Sequence, residues 1–312
     1  MSREQGITRR ESLKRIARMG GVAAACGVAP GLFFREAEAA VPARFFVEAV
    51  GETRGYGVKA LVRRTFEAAG GMCMFVSKGD VVAIKPNLSW ARAPELAATT
   101  HPEVLEAVVE LCQDAGAGKV RIVDHTIHDA RRCFAVTGAG AVAKKTGAEL
   151  VFPRKTLMRE MRIHGHRLDV WPVYAPLVEA DRVINLPIAK HHSLSTLTIG
   201  MKSWIGGVGG RRHALHQDIH QTIVDLAQFF KPTVTLVDAV RIMVRNGPMG
   251  GSPGDVAERN TLILSDDPVA ADAGAAGLFD MAPDSVGAVR LAEKWGLGTT
   301  DIASLNPKRV IL

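Results

Sequence analysis

Val81-Val82-Ala83-Ile84 runs without interruption into Lys85-Pro86-Asn87. The turn Lys78-Gly79-Asp80 precedes it. A short apolar run of β-branched residues between turn signals reads as a buried strand. A strand that is apolar on both faces belongs in a sheet covered on both sides, which is the habit of parallel sheets. The segments around it fit that reading. Thr100-His101-Pro102-Glu103 reads as a capping box with proline in the first turn, opening a helix that runs to about Ala115. Lys119 to Val123 is a second strand, ending at Asp124-His125. Arg182 to Leu186 and Thr233 to Val237 repeat the pattern, the first carrying Asn185 and the second ending at Asp238. Arg44 to Val50, Glu149 to Phe152, Asn260 to Leu264 and Arg309 to Leu312 are further strand candidates, the last an edge. Helical periodicity marks 58–69, 216–230, 269–279 and 286–295, with one or two helices before Lys145. Strands alternating with helices predict an α/β fold: a mainly parallel sheet with helices on both faces. Met161-Arg162-Ile163 and Leu168-Asp169-Val170 flank His164-Gly165-His166-Arg167, which predicts a small hairpin insertion or lobe within 153–172.

In open α/β sheets, ligands bind outside the carboxyl ends of the strands. Four strands here lead into ionisable or amide groups: Lys85 with Asn87, Asp124 with His125, Asn185 followed by Lys190-His191-His192, and Asp238. In a parallel sheet these groups lie on one edge. The segment from Asn185 to His220 also holds five of the ten histidines, together with Lys202, Gly206-Gly207-Val208-Gly209-Gly210 and Arg211-Arg212-His213. Lysine and arginine beside a glycine-rich segment suit carboxylate or phosphate oxygens. The glycines match neither a Walker loop nor a dinucleotide fingerprint. The expected ligand is therefore an anionic small molecule held by Lys85, Asn87, Lys190, Lys202, Arg211, Arg212, Gly206 and Gly207. His192, Lys202, Asp124 and Asp238 are the catalytic candidates, as acid–base or orienting groups.

His213, His216 and His220 share one face if they stand on one helix, and their spacing then suits a divalent metal or a metal-containing cofactor. If the helix starts after His216 they separate, and the histidines become hydrogen-bonded or anion-holding groups. The two accounts predict opposite pH slopes, because a metal ligand must be neutral and an anion holder charged. A non-catalytic ligand carrier or assembly factor is the alternative to an enzyme.

Composition narrows the classes. The chain has 312 residues and a net charge of +7, of which the first 39 residues carry +3. The remaining charge forms no basic stripe with interleaved aromatics, so nucleic acid is not an expected partner. Cys26, Cys73, Cys112 and Cys133 form no Cys-x-x-Cys pair, so neither a structural zinc nor an iron–sulfur cluster is expected.

Thr8-Arg9-Arg10-Glu11-Ser12-Leu13-Lys14 resembles the twin-arginine export signal, with Ser12 where that signal usually has Phe. The Ala- and Gly-rich stretch Ile16 to Phe34 follows, then Ala37-Glu38-Ala39, so cleavage is expected before Ala40. The stretch is too weakly apolar for a stable membrane span. Residues 1–39 are thus read as a signal peptide and 40–312 as a single α/β domain. The resemblance implies a periplasmic or extracytoplasmic protein, carried folded by the twin-arginine machinery, often with a cofactor already inserted.

The mature chain resembles the family known as domain of unknown function 362. The carrying segments are Gly79-Asp80 through Leu88, His101-Pro102-Glu103-Val104, Val183 through Pro187 with Lys190 and His192-Ser193, Gly200-Met201-Lys202 with Trp204-Ile205-Gly206, Arg212-His213 with His216, Val237-Asp238-Ala239 with Gly247-Pro248, and Asp267-Pro268 through Asp272. Many relatives carry a ferredoxin-like insert with cysteine-ligated clusters. This sequence lacks those cysteines, so an electron-transfer role does not carry over. Ser203 stands where relatives commonly have Asn. Nickel-pincer lactate racemase offers a fold-level analogy, since it too builds its site from Lys and His in an α/β crevice.

Replacing Arg9 and Arg10 together by Lys is expected to hold the precursor in the cytoplasm. Cell fractionation checks this, and recovery outside the cytoplasm at the wild-type level would refute the twin-arginine reading.

Overall fold

The computed structural model describes residues 44–312 except 53, 54 and 56. The expected export signal, its cleavage site and Cys26 lie outside the described residues. Phe46–Val50 (β1) leads to Val58–Ala68 (α1), Val81–Pro86 (β2), Pro102–Asp114 (α2) and Lys119–Val123 (β3). Ala130–Val136 (α3), Ala139–Thr146 (α4) and Glu149–Val151 (β4) follow. Met158–Arg162 (β5) and Val170–Tyr174 (β6) make an antiparallel hairpin of their own. Then come Arg182–Leu186 (β7), Ile188–His192 (β8), Thr196–Thr198 (β9), Ile219–Phe230 (α5), Val234–Met243 (β10), Val256–Ser265 (β11), Pro268–Gly277 (α6), Gly287–Lys294 (α7) and Lys308–Ile311 (β12).

The main sheet runs β12-β1-β11-β10-β7-β2-β3-β4, with β8 joined to β10 and β9 to β8. The five strands β10, β7, β2, β3 and β4 are mutually parallel, so their carboxyl ends share one edge. β11 runs antiparallel to both β10 and β1, and β12 is a parallel edge strand beside β1. The α/β class and the mostly parallel sheet agree with the sequence reading; the antiparallel excursion through β11 had no sequence signal.

Helices cover both faces. On one face Leu61, Phe66, Leu105, Val108 and Val142 from α1, α2 and α4 pack with Val82 and Ile84 of β2. On the other, Ile223 and Leu226 of α5 join Val269, Ala273 and Val289 of α6 and α7. In α2, α5 and α6 the three- or four-residue spacing of these positions puts each set on one helical stripe. α6 is rich in Ala and Gly because it lies close to the sheet: a Cβ on Gly274 would stand 2.7 Å from Phe46 Cζ.

Three boundaries differ from expectation, each for a visible reason. The cap of α2 is His101, whose Nδ1 accepts the Glu103 amide at 3.2 Å. The Thr100 hydroxyl is taken, accepting the Asn87 amide and donating to the Leu186 carbonyl. α5 begins at Ile219 behind an Asp218 cap with φ −136° and ψ 74°, while Arg212–His216 is a separate 3-10 turn. β10 does not end at Asp238 but continues to Met243 through an irregularity between Ala239 and Arg241.

The hairpin is clamped to α5 by one side chain. Asp225, fully buried, accepts the amides of His166 (3.0 Å), Arg167 (2.8 Å) and Leu168 (2.9 Å). A Cβ on Gly165 would lie 2.3 Å from Asp225 Cγ, so the loop needs glycine there to approach the carboxylate. Asp225→Ala is expected to cost about 3 kcal/mol by orphaning these amides. Denaturant unfolding measures the loss, and hydrogen exchange should show it concentrated in 163–169.

Candidate functional site

Lys85 lies in the last two residues of β2 and Asp124 directly follows β3, and the two strands pair in parallel. Lys85 Nζ donates to Asp124 Oδ1 and to the Pro86 carbonyl, both at 2.8 Å, with the two side chains 1% and 0% exposed. Asp124 Oδ2 accepts the Leu88 amide at 2.7 Å. The glycine segment closes over this pair. A Cβ on Gly206 would sit 2.2 Å from Asp124 Oδ1 and 2.9 Å from Lys85 Nζ, so only glycine fits. The Gly206 carbonyl accepts the His125 amide at 2.9 Å. His125 Nδ1 lies 2.7 Å from the Val208 carbonyl, which fixes that nitrogen as the ring donor. Arg212 completes the lock, donating to the carbonyls of His125 (2.6 Å) and Thr126 (2.7 Å).

β8 supplies the next groups. Lys190 and His192 alternate with His191, so they face one side and His191 the other. Lys190 is 1% exposed and donates to the Ala98 carbonyl. Burial pushes its ammonium far below the ordinary lysine range, and the charge of Lys202 pushes it further. His192 Nδ1 accepts the Leu194 amide at 3.1 Å, which leaves its ring hydrogen on Nε2. Burial and the neighbouring Lys202, His216 and Lys190 lower His192 to about 3. Its ring lies parallel to that of His216, with centroids 6.2 Å apart and planes inclined by 14°. His216 is lowered too, by burial and by Lys202. Both imidazoles are therefore neutral at pH 7.

Lys202 stands on the single turn Gly200–Ser203. Asp272 of α6 pins that turn from below, accepting the amides of Gly200 (2.7 Å) and Met201 (3.1 Å). A carboxylate in the apolar α6 needs a partner, and these amides are it. Burial lowers Lys202 to about 7. Among the described residues it forms no ion pair.

The structure therefore gathers Lys85, Asp124, Lys190, His192, Lys202, Arg212 and His216 at the carboxyl edge of the parallel strands. Asn87 is buried beside them, its side-chain oxygen taken by the Ser89 amide. Other candidates stand apart. Asp238 is buried in β10, its oxygens accepting the amides of His101 (2.7 Å) and Val240 (3.1 Å). Burial raises it to about 6. Arg211 and His213 are exposed. Gly207 faces Phe230 and Leu177, 2.7 Å and 3.0 Å from where a Cβ would be, instead of open space. The histidines of the expected metal triad separate, because His216 belongs to the 3-10 turn and His220 to α5. His220 lies against Gly287, whose Cβ would come within 2.8 Å of its ring, while His216 faces His192. Among the described residues no three His, Cys, Asp or Glu side chains converge for a metal. Sequence reasoning placed His125 at this edge beside Asp124 but gave it no role, and it missed Asp225, a lone carboxylate in the apolar helix α5.

A family model described as a domain of unknown function (DUF362) matches residues 82–277. The chain belongs to the DUF362 family. A thylakoid-associated protein of Synechocystis sp. is 30% identical over 255 residues, covering 77% of this chain and 76% of that protein. Two solved structures are similar at greater distance. One is the lactate racemase apoprotein of Thermoanaerobacterium thermosaccharolyticum, with TM-score 0.44 and 15% identity over 69% of this chain and 53% of that one. The other is a Thermotoga maritima protein, with TM-score 0.41 and 13% identity over 76% and 58%. The chain thus spans less than two thirds of either solved protein. The DUF362 match contains both strands of the ion pair, β8 and the Lys202 turn.

In this DUF362 chain, Lys85→Met is expected to cost about 3–5 kcal/mol, since it leaves Asp124 buried without its countercharge. Lys85→Met combined with Asp124→Asn should cost less than the sum of the two single changes. Chemical denaturation of the three variants measures the coupling, and strict additivity would show that the pair is not energetically linked.

Proposed function

We propose that the edge cluster binds an anionic small molecule and that Lys202 exchanges a proton with it. What supports this is the charge balance. Lys85, Lys190, Lys202 and Arg212 are brought together around one carboxylate, and Asp124 is already committed to Lys85 and to the Leu88 amide. Lys190 has a single carbonyl partner, and Lys202 has no ion pair among the described residues. A carboxylate or phosphate group supplies the missing countercharge. Near pH 7 Lys202 is divided between its two protonation states, which suits a general acid or base. His192 and His216, both neutral, can accept or donate hydrogen bonds without adding charge. The metal expected on His213, His216 and His220 has no convergent ligand set among the described residues, so it is not part of this proposal.

The twin-arginine-like segment supports work outside the cytoplasm, as does a relative named for its association with thylakoids. Among the described residues no helix is long and apolar enough to cross a membrane.

The sign of the pH dependence follows from Lys202. A bound anion favours the ammonium, so its pKa rises on binding and a proton is taken up. Affinity for phosphate or a small carboxylate should therefore fall as pH rises above about 7, by roughly tenfold per unit until the bound-state pKa is reached. Calorimetric titration with phosphate, malonate and acetate at several pH values measures the slope. Lys202→Met should remove the dependence above neutrality. An affinity that strengthens with rising pH, or a slope unchanged in Lys202→Met, would overturn the proposal.

A further inference from the structure

A cavity of about 540 Å³ lies on the other side of β8. Its volume falls within the range of small-molecule sites. Leu197, Val244, Phe279 and Met281 give it an apolar wall. Lys190 and His192 face the charged cluster, whereas His191, with its register partner Leu197, lines this cavity. The two sites thus share one strand.

Three ionisable side chains line the wall: His191 and Arg259, both half-buried, and the exposed Asp280. Arg259 of β11 is held by its Nε, which donates to the Leu278 carbonyl at 2.9 Å, and by Nη1, which reaches the Glu258 carbonyl at 3.3 Å. Among the described residues it has no carboxylate within ion-pair distance. Asp280 also lines the cavity and is likewise in no ion pair among the described residues. Its backbone is left-handed, with φ 57°, and its amide donates to the Gly277 carbonyl at 3.1 Å, which holds the turn after α6. His191 Nδ1 accepts the Gly247 amide at 3.1 Å, so its ring hydrogen stands on Nε2, available to a ligand oxygen. Thr196, a β-branched residue, adopts φ 66° on the same wall. Such strain in a non-glycine residue gathers at ligand clamps.

We propose that this cavity is a second binding site and that it takes an apolar α-amino acid. A cation and an anion that do not pair with each other, set in a mainly apolar wall, are complementary to a zwitterion with an apolar side chain. The carboxylate is held by Arg259, helped by the Nε2 hydrogen of His191. The ammonium is held by Asp280, and the side chain lies against Leu197, Val244 and Phe279. A ligand with one charge engages only one of Arg259 and Asp280 and so forgoes one charge-assisted contact.

Isothermal titration of the full chain with L-phenylalanine and L-leucine, and with phenylacetate and phenethylamine as single-charge analogues, tests this. Phenylalanine should bind at least about tenfold more tightly than either analogue, the loss expected for one unpaired charged group. Arg259→Met and Asp280→Asn should each weaken it by a similar factor. Ala257→Leu, which fills the cavity, should weaken leucine and phenylalanine alike. Lys202→Met, in the other site, should leave both affinities unchanged, so failure here is distinguishable from failure of the anion site. The comparison of ligands on wild-type protein stands even if a variant does not fold. No saturable heat with either amino acid in the millimolar range, or equal affinities for phenylalanine and both analogues, would overturn the proposal. So would unchanged affinity in folded Arg259→Met and Asp280→Asn.

Discussion

The buried ion pair between Lys85 and Asp124 is the constraint on which the rest of the site depends. Two unpaired charges at this depth would each carry a desolvation cost of several kcal/mol. Their contact ties the ends of two parallel strands together. It also dictates what covers them. Gly206 must be glycine, because the carboxylate occupies the space of its Cβ. The Gly206 and Val208 carbonyls then fix His125, and Arg212 fixes the His125 and Thr126 carbonyls in turn. The segment from Trp204 to Arg212 therefore has one placement consistent with the pair. Lys202 stands on the turn immediately before that segment.

The buried aspartates share a task that accounts for the character of the site. Asp124, Asp225, Asp238, Asp267 and Asp272 are all 4% exposed or less, and each accepts at least one backbone amide. Carboxylates used in this way join segments distant in sequence: Asp225 the hairpin to α5, Asp238 the start of α2 to β10, and Asp272 the Lys202 turn to α6. Their lone pairs are occupied by the fold. That leaves Lys190 and Lys202 of the edge cluster in no ion pair among the described residues, while Lys85 is held by Asp124. The proposed anion would supply the countercharge that these committed carboxylates do not.

β8 deserves its central place for a reason of geometry. Strand alternation sends adjacent histidines to opposite sides, so His192 meets His216 while His191 meets the apolar cavity. Thr196 is the register partner of His192 and also lines that cavity.

Much of this was legible in the residue pattern. The apolar runs at Val82–Ile84, Ile122–Val123 and Val183–Ile184 specify buried strands because no other element buries so short a stretch on both faces. Parallel pairing then carries Lys85, Asp124 and Lys190 to a common edge without further information. A carboxylate inside the apolar helix α6 implies a buried partner for Asp272. Four things needed the tertiary structure. The identity of that partner, the amides of Gly200 and Met201, lies more than seventy residues upstream. The Asp225 clamp lies 57 to 59 residues from its amides. The start of α5 depends on whether Asp218 caps the helix or continues it, and that choice separates His216 from His220. The glycines of the 206–210 segment read as a ligand cradle when only composition was visible. Whether an open ligand or the protein's own Asp124, Lys85 and Phe230 fills the space beside them is a question of packing. Periodicity along the chain records which residues are buried, but not which distant atoms they are buried against.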